Sequence, residues 1–373
     1  VRRAVARVNL AAIERNCRRL REALSGHTAF GAVVKANAYG HGMVPVAQAA
    51  QRAGASWLCV ATAGEAVGLR EAGLTDARVL VMGALSDPEL REALAADADI
   101  VVWRESAVDR VRQAGGARVH VKLDTGMGRL GTADVEEAKR VADRVAADPQ
   151  LTLAGLMTHF ATADEAGDDH FPRQLGRFTP FVAELRTRHR DLVAHAANSA
   201  ATLRDAAAHF DLVRCGIAVY GLDPANRDPD DAGLEPALTL ESYVAEVKPL
   251  PAGESAGYGR RFRPDHPTRI AIVPIGYADG VRRGLTNVGH VLVRGRRHRI
   301  AGAVSMDNLA IEVAEGAVVE PGDRAVLIGA DGAERITAEE VAGHLDTINY
   351  EVVCGISGRV PRVYERDGVE ETP

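Results

Sequence analysis

A single lysine, Lys35, closes the apolar run Phe30–Val34 and stands just ahead of Ala36-Asn37-Ala38-Tyr39-Gly40-His41-Gly42. Runs of this kind form buried strands, and the Gly-His-Gly that follows marks a turn. An ammonium taken out of water is costly unless it is paired or neutralised. A desolvated lysine loses its proton readily and becomes a nucleophile that can form a Schiff base. The alternative is a lysine that reaches from the strand end into solvent. Only four lysines, Lys35, Lys122, Lys139 and Lys248, occur among 45 basic residues. Arginine is the default surface cation here, so each lysine invites a reason.

Other polar clusters also follow strand-like runs: Lys122 and Asp124 ahead of Thr125–Gly131, then Thr158 and His159, then His195, Asn198 and Ser199, then Arg214, Gly216 and Ile217. Asn198-Ser199 and Cys215-Gly216-Ile217 supply the hydroxyl and backbone N–H groups that hold a phosphate at a helix start, although Ser199 in isolation could be a simple helix cap. A phosphate cup beside a strand-end lysine suggests pyridoxal phosphate. Arg214 could face the pyridine nitrogen of that cofactor. A guanidinium donates a hydrogen bond without readily giving up a proton, which suits a reaction that takes and returns one proton. A structural ion pair with an acidic neighbour is the competing role. Tyr39, Tyr258, Tyr277 and Tyr350 lie in Gly- or Asn-rich loops, where either a cleft or core packing could hold them. A tyrosine base, with an ordinary pKa of ~10, needs activation by positive charge or donors.

The elements that must position these residues alternate. Strand-like runs at Phe30–Val34, Trp57–Ala61, Arg78–Met82, Ile100–Trp103, Arg118–Leu123, Leu153–Met157, Val193–Ala196 and Leu212–Cys215 are separated by helical patterns such as Glu65–Glu71, Pro88–Ala95 and Val135–Ala146. Asn9 reads as the cap of a first helix with Leu10, Ile13, Cys17, Leu20 and Leu24 on one face. This is an α/β pattern, and eight repeats favour an N-terminal (β/α)8 TIM-like barrel over an open doubly wound sheet. In such a barrel the polar clusters all fall at the C-terminal ends of strands, the catalytic face. The polar segment Asp223–Gly233 reads as a boundary, placing the barrel at residues 1–232 and a mostly-β domain at residues 233–373. In the second part, Leu238–Val247, Ile270–Pro274, His290–Val293, Ile300–Val304, Leu309–Val313 and Ala325–Ile328 read as strands, and Thr337–His344 as a helix.

The net charge of −6 gives no reason to expect nucleic acid or an anionic membrane as partner. The run Arg294-Gly295-Arg296-Arg297-His298-Arg299 reads as a solvated hairpin turn. Cys17, Cys59, Cys215 and Cys354 show no metal-binding spacing, so no metal is expected, and they read as buried thiols of a cytoplasmic protein. No apolar run reaches membrane-spanning length.

The stretch Ala32–Gly42 resembles the cofactor-attachment motif of the alanine racemases at every position. The resemblance continues through Lys122–Gly131, Leu156–Phe160, His195–Leu203, Val213–Gly221, Gly257–Arg260, Ile275–Gly280, Ser305–Asp307 and Asn349–Glu351. It implies a pyridoxal 5'-phosphate enzyme that interconverts L- and D-alanine with two bases and supplies D-alanine for peptidoglycan. It also implies a homodimer in which the β-domain of one subunit closes the active site of the other. Residue by residue, it implies that Lys35 holds the cofactor and serves as one base, with Tyr258 of the partner subunit as the other. His159 and Arg214 resemble the pair linking that tyrosine to the pyridine nitrogen. Tyr39, Ser199, Gly216, Ile217 and Tyr350 resemble the phosphate-binding set. Arg129 would contact the cofactor's phenolic oxygen and the substrate carboxylate, and Met306 would offer its backbone N–H to that carboxylate. Tyr277 and Tyr350 would narrow the entrance, and Asp307 would be a supporting residue. Lys122 would be carbamylated and hold Arg129; the alternative is an ordinary surface pair with Asp124. Ser305 and Asn308 stand where many relatives carry cysteine and glutamine, which bears on substrate preference. A broad-specificity amino-acid racemase and a cofactor carrier without turnover are the other readings.

Overall fold

The structure is a computed structural model that describes residues 2–371. The chain divides into two compact units. One comprises Glu14–Ala38 and Met43–Val219; the other comprises the residues up to Ile13, Tyr39–Gly42, and everything from Tyr220 on. The strands are β1 (Ala4–Asn9), β2 (Ala29–Val33), β3 (Trp57–Val60), β4 (Arg78–Val81), β5 (Ala98–Val102), β6 (Arg118–Lys122), β7 (Thr152–Met157), β8 (Val193–His195) and β9 (Leu212–Cys215). They continue with β10 (Leu238–Tyr243), β11 (Glu246–Leu250), β12 (Thr268–Val273), β13 (His290–Val293), β14 (Arg296–Arg299), β15 (Leu309–Glu312), β16 (Arg324–Asp331), β17 (Glu334–Ile336), β18 (Arg362–Arg366) and β19 (Val369–Glu370).

In the first unit β2 to β9 form one all-parallel sheet in the order β8-β7-β6-β5-β4-β3-β2-β9. Hydrogen bonds from Asp211 N–H to the Ala194 carbonyl (3.0 Å) and from Arg214 N–H to the Ala197 carbonyl (2.9 Å) join the two ends, closing the barrel. All eight expected strands are present; each is short, mostly buried and bounded by helix-length sequence. The register of β6 on β7 shifts between Val119 and His120. Gly155 lies at that shift, and a Cβ there would sit 2.3 Å from His120 Nδ1. A glycine is therefore required for an imidazole to enter the barrel interior.

In the second unit an eight-stranded sheet runs β14-β13-β16-β10-β1-β18-β19, with β17 on β16, and a smaller sheet runs β11-β12-β15. The expected β-rich character holds. β1 pairs parallel with β18 and antiparallel with β10, so the segment just ahead of the helix Leu10–Glu22 lies in this sheet. Asn9 Oδ1 accepts from the N–H groups of Ala11 and Ala12, as expected of a cap. Three readings of the sequence need correction. Leu238–Val247 is not one strand: β10 ends at Tyr243, and β11 starts at Glu246 in the other sheet. Ile300–Val304 is not a strand; the chain pairs over Arg296–Arg299, and only Ile300 bridges to Ile311. The basic run does turn a hairpin at Arg294-Gly295, but His298 is buried and Arg297 points to Glu334 and Glu340 instead of to solvent.

Candidate active site

Lys35 follows β2 and is half-buried. The turn after it is built in an unusual way. Ala36, Asn37, Ala38 and Tyr39 all have φ between 52° and 53°, one turn of left-handed helix. Each such residue costs an L-amino acid roughly 1–2 kcal/mol, so the turn must be held from outside. Ala38 N–H donates to the Val34 carbonyl at 2.8 Å. Glu65 accepts from Ala36 N–H at 2.6 Å and from Ala61 N–H at 2.9 Å, and Asn37 Oδ1 accepts from Met43 N–H at 2.9 Å. The sequence gives no sign of this, since alanine is not a left-handed residue by preference.

Arg214, on β9 beside β2, is the centre of a buried polar chain. Its Nη1 donates to His195 Nδ1 at 2.6 Å, and its Nη2 group serves the carbonyls of Thr158 and Ala196 and His159 Nδ1 at 3.3 Å. His195 Nδ1 accepts, so its Nε2–H must donate, and it does, to His120 Nδ1 at 2.8 Å. His120 Nε2–H then donates to Asp99 at 3.0 Å. Asp99 is also held by Arg118 Nε at 2.6 Å and by Arg78. A cation at one end and an anion at the other thus fix both tautomers, with both imidazoles neutral. Burial first, then neighbouring positive charge, holds His195 and His159 well below the ordinary histidine pKa. His120 is lowered by burial, against the pull of Asp99. Burial also brings Arg214 down to about 10, which leaves it charged at neutral pH. The acidic ion-pair partner considered for Arg214 is absent among the described residues: its acceptors are imidazoles and carbonyls.

Lys122 ends β6 and is buried. Burial, then the charges of Arg214 and Arg129, depress its ammonium to a pKa of about 8. It is not a surface partner of Asp124, whose Oδ1 instead accepts from the N–H groups of Gly126 (2.9 Å) and Met127 (2.8 Å), while Oδ2 takes Gly128 N–H at 2.9 Å. Arg129 is exposed and has no ion pair among the described residues. Ser199 is not the helix cap. Asn198 Oδ1 caps through Ala201 N–H at 3.0 Å, while Ser199 Oγ accepts from the N–H groups of Gly216 (2.9 Å) and Ala218 (3.3 Å), leaving its own proton to donate. Lys139 and Lys248 are ordinary by comparison, each beside glutamates.

In the second unit Tyr39 packs on Tyr220 and Tyr350, with ring centroids 4.9 and 6.0 Å apart. Tyr258 is 74% exposed, in a turn whose Gly257, Gly259 and Arg260 all have positive φ. Tyr277 and Met306 are exposed on neighbouring loops joined by Tyr277 N–H to the Ser305 carbonyl (3.0 Å) and Ala278 N–H to the Met306 carbonyl (3.1 Å). A Cβ on Gly276 would lie 2.2 Å from the Ser305 carbonyl oxygen, so glycine is what lets the loops meet. Asp307 is held by Arg359 at 2.7 Å, and Arg359 also faces Asp279. Residues 8–224 match the family described as "Alanine racemase, N-terminal domain", and residues 237–364 match "Alanine racemase, C-terminal domain". The chain belongs to the alanine racemase family. It is 44% identical to an alanine racemase of Symbiobacterium thermophilum, covering 96% of each chain. It is 42% identical to alanine racemase 1 of Bacillus subtilis, covering 97% of this chain and 93% of that one. Among solved structures it resembles the alanine racemase of D-cycloserine-producing Streptomyces lavendulae, with a TM-score of 0.92 and 42% identity over 97% of each chain.

A phosphorylated pyridine aldehyde would need donors for its ring nitrogen and its phosphate, and the barrel residues must suit both. They do. Arg214 Nε is buried and has no hydrogen-bond partner among the described residues, although every other N of that guanidinium is engaged. A buried orphan donor is expensive, and a pyridine nitrogen lone pair would satisfy it. Asp99, His120 and Gln174 escaped the sequence reading. Gln174, fully buried, bonds the carbonyl of His159, Ala161 N–H and Thr125 Oγ1, fixing the His159 loop from below. A polar residue on an inward strand position, as His120 is, was the only signal. One cysteine differs from expectation: Cys354 is exposed, at the end of the helix Asn349–Cys354, while Cys17, Cys59 and Cys215 are buried. Among the described residues no helix is long and apolar enough to cross a membrane.

Proposed function

We propose that this protein interconverts L-alanine and D-alanine with pyridoxal 5'-phosphate, as a cytoplasmic homodimer that supplies D-alanine for peptidoglycan. The observation that carries the reading is the unsatisfied Nε–H of Arg214 on the strand beside the one that presents Lys35. Lys35 would hold the cofactor. Ser199, Gly216, Ile217, Tyr39 and Tyr350 would hold its phosphate, and Arg214, with His159 beside it, its ring nitrogen. When bound, the cofactor withdraws electrons from an attached amino acid and so acidifies its Cα–H.

The chain's own groups do the rest. Lys35 removes or returns the proton on one face of Cα, and Tyr258 of the partner subunit does so on the other. Two bases on opposite faces are the direct way to invert a carbon. Exposure of Tyr258 supports its service to a second copy of the chain. Arg214 donates a hydrogen bond without surrendering a proton, which limits charge delocalisation into the ring and suppresses side reactions. Arg129 and the Met306 N–H bind the substrate carboxylate; Tyr277 and Tyr350 restrict the pocket to a small side chain. Lys122, already prone to lose its proton, is carbamylated. Its neutral amine adds to CO2, an N–C bond forms, a proton leaves, and the resulting carboxylate steadies Arg129. A carbamate carbon signal after loading with labelled CO2, absent in Lys122→Ala, is expected; a free amine at full occupancy would refute it.

The first test incubates purified protein and pyridoxal phosphate with L-alanine, L-serine and L-lysine while following optical rotation. Loss of rotation with alanine, abolished in Lys35→Ala, is expected. No change with alanine overturns the proposal.

A further inference from the structure

Three side chains of the second unit, none of them given a racemase role above, converge. His290 opens β13, while Glu340 and His344 lie four positions apart on the helix Ala338–His344 and so share one face. Thr337 Oγ1 caps that helix through Glu340 N–H at 3.0 Å, fixing where the face points. One ligand atom from each of the three lies within 4.8 Å of the others, and His344 Nε2 is 3.9 Å from Glu340 Oε1. The two imidazole centroids are 6.3 Å apart.

We infer that His290, Glu340 and His344 form a binding site for a divalent ion of the zinc type. Two imidazoles and a carboxylate are the donor set such ions take, with a water completing the tetrahedron. Nitrogen donors select against magnesium and calcium, which prefer oxygen. Ligand atoms around such an ion stand ~3.3 Å apart, a contraction that exposed His344 can supply by turning its ring. His290 Nδ1 gives the second, independent sign. It is buried and has no hydrogen-bond partner among the described residues, so a ligand there would satisfy an otherwise orphaned atom.

Arg297 holds the carboxylate of the three. Its Nη1 and Nη2 hold the two oxygens of Glu340 at 2.5 and 2.9 Å, and its Nε holds Glu334 at 2.9 Å. Each Glu340 oxygen keeps a second lone pair, so the guanidinium orients the carboxylate without occupying it. The ion would pin the hairpin β13–β14 to the helix Ala338–His344. The site is independent of the racemase reading, since none of its residues serves there.

The test uses dialysed holoenzyme titrated with zinc(II) against a chromophoric chelator, with cobalt(II) absorption as a second readout. One ion per chain is expected, with affinity reduced ~10-fold or more in His344→Gln and in His290→Gln. Cys354→Ser should bind as the parent does, and alanine turnover of His344→Gln without added metal should be unchanged. His344 is exposed, so its substitution leaves the fold intact and keeps the test decisive. Absence of zinc binding, or binding equal in parent and His344→Gln, overturns the assignment.

Discussion

Arg214 shows how one side chain can be specified by others that touch no substrate. Asp99, His120 and His195 pass one orientation of N–H donors along the barrel interior, and this leaves the guanidinium one spare donor, Nε. His195→Phe would strip Arg214 Nη1 of its acceptor and His120 Nδ1 of its donor. We expect a loss of about 2–4 kcal/mol in denaturant melts, and a fall in kcat larger than any change in KM. The same chain sets an acid limit. The unfolded protein binds protons that neutral His120, His159 and His195 refuse in the fold, so stability should decline as pH falls below about 6.5. Lys122 acts in the opposite range. Its folded pKa of about 8 lies below the unfolded value of about 10.4, so a buried ammonium burdens the fold below pH 8 and the burden lifts as pH rises through that interval. In CO2-free buffer Lys122→Met should therefore be stabilising at neutral pH, by up to about 3 kcal/mol, with the gain vanishing in alkaline melts.

At the scale of elements, the eight barrel strands were readable because burial on both faces makes most of each strand apolar, a purely local signal. The turn after Lys35 was not readable. Its left-handed backbone runs against the preference of two alanines, and distant groups, chiefly Glu65, hold it. Glu65→Ala should lower stability by about 1–2 kcal/mol, a cap-sized loss, and reduce kcat/KM as the lysine loop relaxes; calorimetry and steady-state rates check the two parts. Gly276→Ala places a methyl against the Ser305 and Met306 carbonyls. It should raise KM for alanine by displacing Tyr277 and Met306, with far-UV circular dichroism unchanged. The misread strand at Ile300–Val304 has a similar origin: apolar residues there fill the core beside a bridge instead of joining a ladder.

For the whole molecule, the decisive prediction concerns assembly. Lys35→Ala and Tyr258→Phe proteins should each be nearly inactive, and mixing them with subunit exchange should restore activity, because in the proposed shared-site dimer one of the two sites of a hybrid would have both bases. No recovery despite demonstrated exchange would place both bases in one chain. By itself the sequence determined the alternation that makes a barrel, the strand-end lysine, and the candidates Arg214, Tyr258 and Tyr350, since these are properties of a residue and its near neighbours. Only the tertiary structure decided that Asn198 and not Ser199 caps its helix, that Asp99 reaches Arg214 through two imidazoles, that Lys122 is buried, and that His290 meets His344. A hydrogen bond or a ligand contact requires placement to within tenths of an ångström. That placement is set by strand register and barrel closure, which no local pattern encodes.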